Sequence, residues 1–254
     1  MQIFNSLLIL SPLEQFEIIV VYPFSLFSFI DISITNSTVY LFFSFFFSFL
    51  FLNFSSKNVK LIPNRFQYIL EIIYLFIFDI LVKQASLKSQ NFFPLIFTIF
   101  FFVLMSNVIG LTPFAFTPTS QIILTFTVAF SLFLGITFLG ILRQGVSFFN
   151  LFIPKGVPLA ILPLMIFIEV MSYCIRPISL SVRLFANMLA GHTLIHIIAN
   201  FGVKLFFLNI FLVLLPVLLL LAIFILEIGI AFLQAYVFAI LACIYLNDSI
   251  SGGH

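Results

Sequence analysis

LFFLNIFLVLLPVLLLLAIFILEIGIAFLQAYVFAILACIYLN, residues Leu205–Asn247, holds one charged side chain, Glu227, in more than 40 positions. As a helix it would be roughly 60 Å long at 1.5 Å per residue. That is about twice the ~30 Å hydrocarbon core of a bilayer. The stretch before it, residues 158–200, is as long and nearly as apolar. Two such helices in succession must slant, bend or break, and Pro177 and Pro216 are the candidate bend points. Together, over 158–248, they form a long helical hairpin that leaves one side of the membrane and returns to it.

The rest of the chain agrees with a lipid solvent. Of 254 residues, 63% are hydrophobic and 7% charged, against roughly 25% charged in a soluble domain. The net charge of +2 is dispersed, with no basic tract of the kind that nucleic-acid binding requires. Cys174 and Cys243 sit in apolar runs without a CxxC, so neither a disulfide framework nor a zinc site is expected. Forty Phe and no Trp point to A/T-rich codon usage rather than to a function. Met1 to Leu10 lack a positively charged n-region and the Arg-rich character of an import peptide. The chain is therefore expected to be made where it is inserted, or to insert through internal segments.

Working outward gives an all-α integral membrane protein, a single domain over 1–254, with about five membrane-embedded helices and one interfacial helix. Residues 1–36 form an outer N-terminal segment with Glu14, Glu17 and Asp31 and no Lys or Arg. Residues 37–54 are a first span of Phe, Leu and Ser. Residues 61–88 are apolar but carry Gln67, Glu71, Asp79 and Lys83 within about 160° of arc, which reads as an amphipathic helix at the interface. Residues 92–142 contain no charge, and Asn107, Gly110, Pro113, Pro118 and Gln121 divide them into two spans joined by a tight turn. In this layout Lys57, Lys60, Arg65, Lys83, Lys88, Arg143 and Lys155 share one side and Lys204 lies on the other. The positive-inside rule puts the first side, with the C-terminus, inside and the N-terminus outside.

Ionisable groups in lipid are costly and mark function by default. The last two spans hold Glu169, Arg176, Arg183, His192, His196 and Glu227. Glu169, Arg176 and Arg183 are seven apart and share a face with Ser172, Ser179 and Asn187. On the second helix Glu227 and Gln234 are seven apart, beside a row of small residues, Ala231, Ala235, Ala239 and Ala242, that permits close approach of another helix. An antiparallel register setting Arg183 opposite Gln234 also sets His192 level with Glu227, and Glu169 level with Asp248. The result is an acid–imidazole pair outward, an arginine mid-membrane and two carboxylates inward. Imidazole and carboxyl groups pass protons. Arginine stays charged, so it interrupts a proton wire and attracts a partner's carboxylate. The bland alternatives are that His192 and Glu227 are structural glue, that Arg176 serves carbonyls freed by Pro177, and that Glu169 pairs with Arg176.

The stretch Ser179-Leu-Ser-Val-Arg-Leu-Phe-Ala-Asn-Met-Leu-Ala-Gly-His192 resembles the most diagnostic segment of ATP synthase subunit a. Leu226-Glu-Ile-Gly-Ile-Ala-Phe-Leu-Gln-Ala-Tyr-Val-Phe238 resembles the matching part of that family's last helix, and Ser11-Pro-Leu-Glu-Gln-Phe-Glu-Ile18 the start of its mitochondrial members. The resemblance implies a small helical bundle whose two long helices curve against a ring of hairpin subunits, the c-ring, with the alanine row as an approach surface. It implies a proton-conducting stator that is no enzyme on its own and uses no cofactor. Arg183 matches the essential arginine, with Asn187 and Gln234 as polar neighbours. Glu169 matches the inner outlet half-channel, His192 and Glu227 the outer inlet pair in its mitochondrial arrangement, and Asp248 joins the inner group by register alone. The implied partners are the c-ring, the peripheral stalk and other membrane subunits, lipid and protons. The implied place is the mitochondrial inner membrane, N-terminus in the intermembrane space, as an organelle-encoded chain. No GxxxxGK[ST] nucleotide loop is present. A haem-bearing subunit fits poorly, since of three His only His192 and His196 lie in a span and both are on one helix. A secondary transporter would show an internal repeat, and none is visible.

Overall fold

A computed structural model describes residues 16–23, 25–27, 30–31, 33–57, 60–85, 87–112, 115–153, 161–206 and 210–251. Glu14, Pro113 and Lys155 lie outside the described residues.

Two nested antiparallel hairpins open the chain. β1 (Val20–Tyr22) pairs with β4 (Ile34–Thr35), and β2 (Ser25–Phe27) with β3 (Ile30–Asp31). Strands of two or three residues are too short to show a period, so nothing in the sequence announced them. α1 (Asn36–Ser56) follows directly, its start fixed by the Thr35 amide donating to Thr38 Oγ1 at 3.1 Å. The Asn36 side chain reaches back, Nδ2 donating to the Glu17 carbonyl at 2.9 Å, which ties the hairpins to the helix.

The helices then run α2 (Arg65–Ala85), α3 (Phe93–Gly110), α4 (Ile122–Gln144), α5 (Leu162–Phe206) and α6 (Leu214–Ser251). Five stretches are long and apolar enough to cross a membrane: Asn36–Ser55, Ser89–Gly110, Ile122–Phe149, Leu162–Phe206 and Phe211–Ile250. The fold is thus an all-α membrane protein, and α2 is the one long helix among the described residues not of that kind. Its polar groups satisfy one another along its surface. Gln67 Nε2 donates to Glu71 Oε1 at 2.8 Å, and Lys83 meets Asp79 at 2.6 Å. The Asp79 carboxylate beside it holds the exposed Lys83 ammonium above the usual lysine range. Being exposed and solvated, this pair contributes little to stability.

α5 has 45 residues and α6 has 38, so at 1.5 Å per residue they reach about 68 and about 57 Å. Neither fits a ~30 Å core upright. α5 continues unbroken through Pro177. Pro216 is the third residue of α6, within the first turn, where a backbone N–H has no helical partner to lose. It marks the start of α6 rather than a bend.

α6 is the hub, packed on α2, α3, α4 and α5. Its alanine row is consumed inside the chain: Ala231, Ala235 and Ala239 are fully buried and Ala242 nearly so. Three of them share a core with Ile77 and Leu81 of α2, Ile96 and Phe100 of α3, and Ala129 and Ile136 of α4. This corrects the expectation that the row offers itself to a partner ring. Small residues at helical spacing show that some helix comes close, and here it is the chain's own. Two hydrogen bonds fix the ends of α4. Gln121 Nε2 donates to the Phe16 carbonyl at 2.9 Å, and Gln144 Nε2 to the Ser249 carbonyl at 2.6 Å.

Candidate proton-handling site

α5 and α6 run side by side, and the sequence-selected residues fall into two groups along them. The first lies toward the α5–α6 connection. His192 and Glu227 are buried, at 6% and 4% exposed. Gly191 lies against the Glu227 side chain so closely that a Cβ built there would collide with Oε1 and come within 2.9 Å of Cδ. The backbone next to His192 therefore touches Glu227, which sets the two residues at one level, and no hydrogen bond joins their side chains. Neither carboxylate oxygen of Glu227 has a hydrogen-bond partner, and neither does His192 Nε2. Burying such groups unpaired costs several kcal/mol on the order of a lost hydrogen bond each, which folding for its own sake would not select. A cavity of about 520 Å³ opens beside His192, lined among others by Thr112, His196, Asn200 and Phe224. The Phe16 ring stands edge-on to His192, centroids 6.4 Å apart.

The second group lies toward the other ends of the two helices, and it separates the two arginines. Arg176 is half-buried and engaged: its Nη1 donates to Asp248 Oδ2 at 3.4 Å, and its guanidinium lies 5.6 Å from the Tyr173 ring and 5.4 Å from the Tyr245 ring. Arg183, about two turns further along α5, is exposed and has no ion-pair partner among the described residues. A cleft of about 650 Å³ holds both, with Ser172, Ser179, Leu241 and Tyr245 among its lining. Asp248 thus meets Arg176, and Glu169 stands half-buried on α5 without an ion-pair partner among the described residues. Gln234 is buried on α6 at 7% exposed, and no hydrogen bond joins it to Arg183. Asn187 is half-buried one turn beyond Arg183. No cluster of three His, Cys, Asp or Glu side chains gathers among the described residues.

Two residues at these groups escaped the sequence reading. Asn107 reads as a helix breaker, yet it is fully buried in α3 and its Nδ2 donates to the Ala231 carbonyl of α6 at 3.3 Å, leaving Oδ1 unpaired. Its signal was an amide in an otherwise greasy, uncharged span. Gly191 reads as one small residue among many, and only the fold shows what touches it. Arg176, which the sequence also offers as a residue serving carbonyls freed by Pro177, instead meets Asp248.

A chain that crosses the membrane several times and holds a carboxyl, an imidazole and an unpaired guanidinium within its two longest spans is a polytopic membrane protein equipped to handle ions. Comparison with known sequences makes this specific. The family model described as ATP synthase A chain matches residues 35–247. Over 250 residues the chain is 48% identical to the ATP synthase subunit a of Acanthamoeba castellanii, covering 97% of this chain and 100% of the relative. It is 46% identical over 245 residues to that of Chondrus crispus, covering 95% and 96%. With that of Pelagibacter ubique it is 43% identical over 244 residues, covering 96% and 99%. The chain belongs to the ATP synthase A chain family.

Proposed function

We propose that this chain is the proton-conducting stator subunit of a rotary ATP synthase, working in the mitochondrial inner membrane with its N-terminus in the intermembrane space. A proton enters from the outer side through the cavity at His192, passes to Glu227, and neutralises a carboxylate carried by a ring of partner subunits. A neutral carboxyl can turn into lipid where an ionised one cannot. After nearly a full turn the ring carboxyl reaches the inner cleft, where Arg183 favours its ionised form. It then releases its proton past Glu169 and Asp248 to the matrix. Asn187 and Gln234 supply polar contacts beside the arginine. Each charge crossing 100 mV gains roughly 2.3 kcal/mol, enough over several protons to drive rotation. The peripheral stalk holds the chain still against the ring, and ATP is made elsewhere in the complex.

The observation that carries this reading is the unpaired, exposed Arg183 in a cleft between two long spans. A guanidinium cannot deprotonate, and leaving one without a counter-charge in such a span is sensible only if a partner brings the anion. The test is Arg183→Gln in the intact complex reconstituted into vesicles. ATP-driven proton pumping should fall at least a hundredfold while nucleotide hydrolysis by the detached soluble sector persists. Pumping at the normal rate would refute the proposal.

A further inference from the structure

Two arginines seven residues apart face the same cleft, yet the structure treats them differently. Arg176 is spent on Asp248 at 3.4 Å and braced by Tyr173 and Tyr245, both buried. Arg183 is unpaired. Arg176, Arg183 and Tyr245 line one cleft, and Asp248 reaches its edge through Arg176. A carboxylate in that neighbourhood goes to the nearest cation, because the attraction falls with distance and little water screens it. Of the two cations that line the cleft, Arg183 is the one left to Asp248 without Arg176.

We propose that Arg176 is a positioning residue: by engaging Asp248 it keeps Arg183 free for the carboxylate of the ring. This rests on the function proposed above and assigns one of its components. The pair is built for the task. Arg176 and Asp248 come from different long helices, 72 residues apart in sequence, so the clamp also fixes the α5–α6 spacing beside the cleft. The guanidinium lies over both tyrosine rings, within cation–π range of each. Pro177 follows at once, and the backbone it relieves of a helical hydrogen bond is the turn that carries Arg176. Asp248, held this way, stays beside the inner cleft without closing it.

The test uses the whole complex in vesicles and compares proton pumping per ATP hydrolysed across four variants, with the amount of this chain in the complex measured in each. Arg176→Gln frees Asp248 and should lower pumping at least tenfold. Arg176→Lys keeps a cation near Asp248 and should retain at least a third of the wild-type rate. Arg176→Asp alone adds a second free carboxylate beside Arg183 and should be the worst. Combining Arg176→Asp with Asp248→Arg rebuilds the pair with its ends exchanged and should recover at least fivefold over Arg176→Asp. Wild-type pumping in Arg176→Gln overturns the inference. So does an exchanged pair no better than Arg176→Asp, and so does equal damage from Gln and Lys, which would indicate a need for shape and not for charge. If Arg176→Gln removes the chain from the complex, the exchanged pair and the Lys variant still decide. Arg183→Gln run beside them separates the two claims. An inactive Arg183→Gln with a normal Arg176→Gln sinks only the clamp, and a normal Arg183→Gln sinks the function on which it rests.

Discussion

Gly191 shows how a residue without chemistry of its own can set the chemistry of another. A Cβ at this position meets the Glu227 carboxyl end, with Cγ and Cδ at 3.0 and 2.9 Å. That neighbour is the tip of a flexible side chain, so Gly191→Ala should leave the fold standing and push the carboxylate elsewhere. Alanine also suits a helix interior better than glycine by about 1 kcal/mol, which offsets the local crowding. The expected outcome is therefore a chain that assembles normally and conducts poorly. Pumping should fall by about a hundredfold, approaching that of Glu227→Gln, since a misplacement of about 1 Å costs on that order in positioned chemistry. Gly135→Ala is the control, because nothing lies within 4 Å of a Cβ there. Vesicle pumping with quantified subunit levels measures both. Equal pumping by Gly191→Ala and wild type would show that Glu227 tolerates displacement and is no relay. The sequence placed Glu227 and His192 at one level through index sums alone, and it could do so because antiparallel helices keep such sums nearly constant. It could not show Gly191, since a clash depends on how far apart the helix axes lie.

The long helices were legible as elements because more than 40 apolar residues in a row have no other physical solution, and so was the polar character of α2, whose Gln67, Glu71, Asp79 and Lys83 share one arc. Which face of α6 meets which neighbour was not. The alanine row is symmetric information: it says that something comes near and is silent on what. In the structure Ala239 and Ala235 pack against α2, α3 and α4, while Ile225, Leu226 and Leu233 of the same helix are more than half exposed. Those exposed positions are left for lipid or a partner. This difference has a measurable consequence. Ala239→Leu inserts three carbons into a fully buried contact, and overpacking of that kind costs about 1–3 kcal/mol. Hydrogen exchange in the intact complex should then quicken in the α2 and α3 segments around Ile77–Leu81 and Ile96–Phe100. Phe138→Leu, on an exposed face of α4 at 62%, should leave both segments as they are. If Ala239→Leu loosened the complex from its ring while α2 and α3 exchanged normally, the row would face outward after all.

At the scale of the whole molecule the helices alternate in direction, and hydrogen bonds at their ends show which termini belong together. Gln121 at the start of α4 binds the Phe16 carbonyl, so the N-terminal hairpins and the α3–α4 turn share one end. Gln144 at the finish of α4 binds the Ser249 carbonyl, so the end of α6 lies at the other. Lys57, Lys60 and Arg143 fall at the second end, and Lys204, late in α5, at the first. The chain thus gathers most of its basic residues at one end, while the other carries the acidic N-terminal segment and Lys204, a distinction the sequence made visible only because its charges are so few. Lysine and arginine are held back from translocation during insertion, so the basic end is expected in the matrix, which orients the proton path with His192 outward and Asp248 inward. Single cysteines read this directly, in a chain where Cys174 and Cys243 are replaced by serine and alanine. Lys204→Cys should react with a membrane-impermeant maleimide applied to mitochondria stripped of their outer membrane. Lys60→Cys should react only in inverted vesicles. The opposite pattern would turn the molecule over and exchange inlet and outlet. Protons flowing down the gradient would then meet Asp248 and Glu169 first and leave past Glu227 and His192, so the buried, unpaired carboxyl that now reads as an entry relay would have to act as the exit.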